Sequence, residues 1–179
     1  MASAKPPELD AQIQALCEVL NAYGVTYLVF GSMAGRLQGA ELQTLDVDVV
    51  PESSPDNLQR LADALNTLRP RWRPDDTSEG LKIDGRLQAR HFLRDSMAVG
   101  LVTRLGYLDV LLRPAGFETG YQALFPHSVT VVLGDVEIRV GSVEDLVVSK
   151  KLVGRPKDLL HLAELEHLLA ERQQPDLGP

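Results

Sequence analysis

The stretch Thr44-Leu45-Asp46-Val47-Asp48 places two carboxylates two residues apart in an apolar run. Along a strand, alternation sets Asp46 and Asp48 on one face with Thr44 beside them, and turns Leu45, Val47 and Val49 the other way. The two aspartate Cα atoms then stand roughly 7 Å apart, close enough for both side chains to share a divalent cation. Folding alone gains little from two like charges at the end of an apolar strand, and a cation gives them a use. An isolated Asp-x-Asp is also what a solvated strand end looks like, so the weight falls on the other polar residues of the chain.

Three features add that weight. Asp109 lies in Tyr107-Leu108-Asp109-Val110-Leu111-Leu112, where a carboxylate is costly unless it is paired or bound to metal. If that strand lies beside the first, three carboxylates converge. Gly31-Ser32 follows an apolar strand and opens a helix; amides and a hydroxyl at such a turn suit a phosphate, although the pair also serves as an ordinary turn and cap. Lys150 continues the inward stripe of Val143, Leu146 and Val147. It either snorkels to the edge of its helix or reaches a phosphate. Lys151 falls off that stripe and reads as a solvated charge, and Arg155, Lys157 and Asp158 read as a salt-bridged turn. Two weaker basic patches remain. Arg69-Pro70-Arg71-Trp72-Arg73 combines base and aromatic and suits RNA or a ribose, or else a loop anchored by its tryptophan. Arg86, Arg90 and Arg94 recur every four residues, which makes one basic helix face at most.

The elements that must carry these residues follow from periodicity and punctuation. Leu9, Ile13, Leu16, Cys17 and Leu20 recur at helical spacing up to Gly24. Residues 25–30 read as a buried strand and 33–38 as a short helix. A second strand spans 46–50 and stops at Pro51. Ser54-Pro55 then starts a helix with the stripe Leu58, Leu61, Ala62, Leu65 and Leu68. Residues 69–95, with Pro70, Pro74, Gly80 and Gly85, read as loops with one short strand. Residues 98–104 and 107–112 make a hairpin through Leu105-Gly106, and 129–133 and 136–140 a second through Gly134-Asp135. Ser142 opens a helix that ends near Gly154, and Pro156 opens a last one to about Arg172. The tail from Gln173 is expected to fray. The fold class is α+β: a mixed sheet with flanking helices and a C-terminal helical pair.

Bulk composition bounds the remaining classes. The chain has 179 residues, 44% hydrophobic and 24% charged, with a net charge of −7. That suits one domain over 1–179, with its core over about 9–172 and the C-terminal helices over 142–172. The acidic balance disfavours a uniformly basic nucleic-acid binder but leaves room for a local basic groove. Aromatics at 5% leave few stacking platforms. Cys17 is the single cysteine, so no intrachain disulfide forms, and the four histidines show no close zinc-type spacing. No signal peptide or bilayer-spanning run is read, and the cytoplasm is the expected compartment.

With these residues assembled, the chain resembles the polymerase-beta-like nucleotidyltransferase superfamily, whose signature is Gly-Ser or Gly-Gly, a short helix, then Asp-x-Asp or Asp-x-Glu. Thirteen residues separate Ser32 from Asp46, which fits. The segments Val29-Phe30-Gly31-Ser32-Met33-Ala34, Thr44-x-Asp46-x-Asp48, Leu108-Asp109-Val110-Leu111 and Ser149-Lys150 with Gly154-Arg155-Pro156-Lys157-Asp158-Leu159 look most like AbiEii/MenT-type toxins and related small bacterial nucleotidyltransferases. Gly35 departs from the pattern, where a longer side chain would favour the helix. The resemblance implies a nucleotidyltransferase fold and transfer of an NMP from an NTP, ATP for instance, to a hydroxyl on RNA such as tRNA, on protein, or on a small molecule such as an antibiotic. A non-catalytic nucleotide-binding module on the same scaffold is the alternative. The resemblance implies two Mg2+ ions, or Mn2+ in their place, on Asp46, Asp48 and Asp109. Asp109 would also help deprotonate the acceptor, and Thr44 would sit behind the ligands. Gly31, Ser32, Lys150 and Arg155 would contact phosphate, and Asp158 would complete the later motif. A cognate antitoxin is the implied partner, and the apolar face of the last helix (Leu159, Leu162, Leu165, Leu169) suits a homodimer.

Overall fold

The structure, a computed structural model, describes residues 7–75, 79–93 and 98–173. One eight-stranded mixed sheet runs through it, built from β1 (Tyr27–Phe30), β2 (Asp46–Pro51), β3 (Arg71–Trp72), β4 (Leu81–Lys82), β5 (Val99–Thr103), β6 (Gly106–Val110), β7 (Val129–Leu133) and β8 (Val136–Val140), in the order β4-β3-β5-β6-β2-β1-β8-β7. The expected α+β architecture is present.

The two central pairings position the chemistry. β1 and β2 are antiparallel with Phe30 opposite Asp48, so the end of β1 delivers Gly31 to the second aspartate. β2 and β6 are parallel with Asp48 beside Asp109 and Asp46 beside Tyr107. The convergence of three carboxylates is therefore a matter of register. Strands β2 and β6 alternate as their patterns demand: Val47, Val49, Leu108 and Val110 are buried, while the aspartates keep an open side. Leu45 departs from that alternation. It precedes the strand and is 75% exposed.

The helices are α1 (Pro7–Ala22), α2 (Gly31–Leu37), α3 (Pro55–Asn66), α4 (Tyr121–Leu124), α5 (Val143–Val153) and α6 (Pro156–Gln173). Ser54 caps α3 by accepting the Asn57 amide, and Ser142 caps α5 by accepting the Asp145 amide. Gly154 ends α5 in the left-handed conformation. α1 packs on α3, and α2, α5 and α6 pack together. Cys17 is buried on the α1 stripe, and burial pushes its thiol up to about 11, so it is an inert core residue.

Several expectations change. The helix after β1 begins at Gly31 itself and is capped by backbone alone, so Ser32 is no cap. β6 ends at Val110, and its hairpin turns over Arg104-Leu105. The 69–95 region carries two short strands, not one. Arg90 lies in a single 3-10 turn over Ala89–His91 and Arg86 precedes it, so they share no helix face; Arg94 lies outside the described residues. The α6 stripe is also used differently. Leu162 and Leu165 are buried within the chain's own core and Leu169 packs against it, while Leu159 points away and is 61% exposed. Leu162 and Leu165 are spent on the chain's own fold, while Leu159 and its neighbour Leu160 stay exposed. Gly35 is explained at the same contact: a Cβ there would lie 2.9 Å from both Leu165 and Leu42. The helix gives up propensity so that α6 can close on it. Among the described residues, no helix is long and apolar enough to cross a membrane.

Candidate active site

Asp46, Asp48 and Asp109 border a cavity of about 320 Å³, at the small end of ligand pockets. Its other walls are Gly31 and Ser32 from α2, Lys150 and Val153 from α5, Arg155, Lys157 and Asp158 at the start of α6, and Arg113 to Ala115 after β6. Every sequence-derived candidate thus reaches one place, although the chain supplies them across more than a hundred residues.

Asp48 sits deepest. It is desolvated by the surrounding protein and flanked by Asp109 and Asp46, and these together push its carboxyl up to about 7. Lys150 and Lys157 pull the other way, but less. The carboxylate also lies directly over Gly31. A Cβ at that position would collide with Asp48 Oδ2, and Gly31 has φ +61°. Glycine is required here twice over, by backbone conformation and by the approach of the aspartate.

Lys150 is the hub of the opposite wall. Its Nζ donates to Ser32 Oγ at 3.1 Å and to Asp158 Oδ1 at 3.3 Å, and stands 3.3 Å from His161 Nδ1. His161 Nδ1 also lies 3.0 Å from Ser32 Oγ, which closes the cluster. Burial lowers the Lys150 pKa, against the attraction of Asp158. Burial first, then Lys150, lowers that of His161. Asp158 is 1% exposed. Burial opposes its ionised form, but hydrogen bonds from Arg155 and the charge of Lys150 outweigh it and hold its carboxyl below the usual range. Arg155 clamps the same carboxylate through its own amide at 3.2 Å and its Nε at 2.8 Å. Asp158 therefore anchors two cations at the cavity wall. Lys151 pairs with Glu166 in the open, as a solvated charge should.

Thr44 lines the cavity, but its hydroxyl is engaged with its own chain. It donates to the Asp46 carbonyl at 3.1 Å and receives the Asp46 amide at 3.3 Å. It squares off the start of β2.

Three residues of the site escaped sequence reasoning. His161 lies three positions beyond Asp158 on α6, so helical spacing could have joined it to the Lys150 cluster. Arg113 borders the cavity from an irregular segment that carried no signal. Arg73 is the largest surprise. Its side chain is 5% exposed and donates to Asp109 Oδ1 at 2.7 Å, stands 3.6 Å from Asp46 Oδ2 and lies 4.9 Å over the Tyr107 ring. In the sequence it is only one member of a basic-aromatic patch. Trp72, from that patch, packs edge-on against His91.

On the far side of Asp46 a second, more open groove of about 460 Å³ is lined by Ser32, Gln43, Thr44, Leu45, Arg73, Tyr107, Lys157 and His161. Asp46 lines it as well, and Arg73 and Lys157 with the Tyr107 ring supply its basic and aromatic side.

The donor set suits a hard divalent cation in part. Asp46 and Asp48 present oxygen ligands on one strand face, and the raised Asp48 pKa marks a carboxylate short of positive charge. Yet among the described residues no group of three His, Cys, Asp or Glu side chains is gathered tightly enough to hold a metal ion.

Solved structures carry this architecture. A lincosamide antibiotic adenylyltransferase, LnuA in its lincomycin-bound form, superposes with a TM-score of 0.60 at 13% identity, over 88% of this chain and 96% of that one. A Thermotoga maritima protein assigned as a nucleotidyltransferase gives 0.57 at 15% identity, over 96% and 98%. The antibiotic-resistance factor ANT(2'')-Ia gives 0.55 at 12% identity, over 92% and 90%. The chain has the nucleotidyltransferase fold. No family model matches the sequence, and no curated protein matches it. At these identities the likeness lies in the backbone.

Proposed function

We propose that this protein transfers a nucleoside monophosphate from an NTP to a hydroxyl of an anionic acceptor, of which an RNA end is the type. The observation that carries the reading is the register of Asp48 against Asp109, with Asp46 on the same face and the Lys150–Ser32 pair across the cavity. Fold neighbours named as an adenylyltransferase and a nucleotidyltransferase support it.

In the reaction the acceptor oxygen bonds to the α-phosphorus and the bond from that phosphorus to the β-bridging oxygen breaks. Pyrophosphate leaves, and the acceptor proton passes to Asp109. Asp46 and Asp48 would hold the divalent cation, Mg2+ or Mn2+, which supplies charge neutralisation at the reacting phosphate. Lys150, held by Asp158, and Ser32 would take the β- and γ-phosphates, with Arg155, Arg113 and Lys157 along the rim. Leu111, Pro114, Ala115, Leu146 and Val153 offer the nucleoside an apolar wall.

The nature of the acceptor follows from the second groove. Lys157 and the Tyr107 ring, with the His161 imidazole as a hydrogen-bonding group, favour a phosphate-bearing chain over the polycationic drug that an acidic pocket would select. The test is incubation with each α-labelled NTP and Mg2+ in the presence of total RNA, lysate protein, or an aminoglycoside and a lincosamide. Label in RNA supports the reading; label only in a drug overturns the acceptor assignment; no label in any pool overturns transfer itself. Asp46→Asn should abolish labelling while the far-UV CD spectrum stays native, and an active, folded variant would remove Asp46 from the metal.

A further inference from the structure

Arg73 occupies a position that three carboxylates gathered around metal would not leave to a fixed cation. Its amide donates to the Gly100 carbonyl at 2.9 Å, which ties it to β5 just after β3 ends. Its guanidinium then reaches across to Asp109 and toward Asp46, with Tyr107 beneath it. Gly100, which pairs with Asp109 on β5, clears the route. A Cβ there would lie 2.8 Å from the Arg73 carbonyl and 3.2 Å from Asp109 Oδ1. The bond is thus built by a strand pairing, a glycine, an aromatic ring and two carboxylates.

We propose that Arg73 is a resident cation of the reaction centre, taking the place of one of the two metal ions that such carboxylates otherwise share, so that the protein works with a single divalent ion on Asp46 and Asp48. This rests on the metal-dependent transfer proposed above. A guanidinium stays charged at any working pH. The guanidinium supplies positive charge between Asp109 and Asp46, where a second divalent ion would otherwise have to. A second ion would need Asp109 and Asp46 together and would meet the guanidinium between them. The lack of a three-carboxylate cluster among the described residues fits this, because Asp109 is turned to Arg73. Arg73 would orient Asp109 for the acceptor proton and offset charge on the entering oxygen, a service a second metal performs elsewhere.

The experiment is Mn2+ titration of the full chain with an NTP analogue whose α–β bridge resists cleavage, read by electron paramagnetic resonance. Paired Mn2+ ions roughly 3.5–4 Å apart couple and broaden the spectrum, whereas one ion gives an uncoupled six-line signal. The expected result is one uncoupled Mn2+ per native chain, and a coupled pair in Arg73→Met, which keeps apolar bulk and removes the charge. A coupled pair in the native protein overturns the inference and leaves metal-dependent transfer standing. No protein-bound Mn2+ in the native protein overturns both. A folded Arg73→Met variant that still holds one uncoupled ion also overturns the inference. If Arg73→Met does not fold, the native spectrum decides alone, with the slope of transfer rate against free Mg2+ as the second readout: first order supports one exchangeable ion, second order refutes it.

Discussion

Asp48→Asn should make the metal-free protein more stable while destroying its activity. The Asp48 carboxyl is raised from 3.8 to about 7 in the folded chain. Each pKa unit corresponds to about 1.4 kcal/mol, so the ionised group opposes folding by up to ~4 kcal/mol at pH 8. The side chain borders the cavity and solvent screens part of that, which leaves about 1–3 kcal/mol as the expected gain. A folded-state pKa above the unfolded one favours folding fully below the unfolded value, and that benefit is lost as pH rises through the folded value. The advantage of asparagine is therefore largest at pH 8, falls by more than half toward pH 5 and nearly vanishes at pH 4. Urea unfolding followed by far-UV CD, with EDTA, at pH 8, 7, 6, 5 and 4 would measure it in both proteins. Mg2+ should then stabilise the native chain and not the variant, because it supplies the charge that Asp48 lacks. An asparagine variant less stable than native at pH 8, or an advantage that stays flat from pH 8 to pH 4, would refute the reasoning.

Three other perturbations read different parts of the site. Gly31→Ala combines a left-handed backbone with a collision against Asp48; a loss of about 1–3 kcal/mol is expected from urea melts, with transfer lost. Asp158→Ala strands Lys150 beside His161 and Ser32 in a buried place; a loss of about 3–5 kcal/mol is expected, and Asp158→Asn should recover part of it in the same melt. Gly35→Ala, favourable by about 1 kcal/mol in an open helix, should instead lower the melting temperature, because its Cβ would press on Leu165 and Leu42.

Much of this protein is local in origin. The apolar stripes of α1, α3 and α5, the serine caps at Ser54 and Ser142, and the Gly134-Asp135 hairpin need only neighbouring residues to explain them. Asp46, Asp48 and Asp109 were conspicuous for the same reason: charge inside an apolar strand is costly wherever the strand lies. Lys150 stood out because it fell on the buried stripe of its helix.

Periodicity places a side chain on a face but carries no information about what lies across from it. The register of β2 against β6 set Asp48 beside Asp109. Packing of α2, α5 and α6 likewise gathered four scattered polar residues, Ser32, Lys150, Asp158 and His161, into one hydrogen-bonded cluster. The same limit holds for α6. Its leucines are equally periodic whichever surface they meet, and only packing at Gly35 shows Leu165 turned to the core. Arg73 is the sharpest case. In the sequence it is one of three arginines around a tryptophan, with nothing to distinguish it from Arg71. Two-residue β3 points Arg71 toward the Gly80 carbonyl and releases Arg73 at its end, over Tyr107 and against Asp109. A long side chain takes its meaning from whatever charge lies within its reach, and that distance exists only once the sheet has closed.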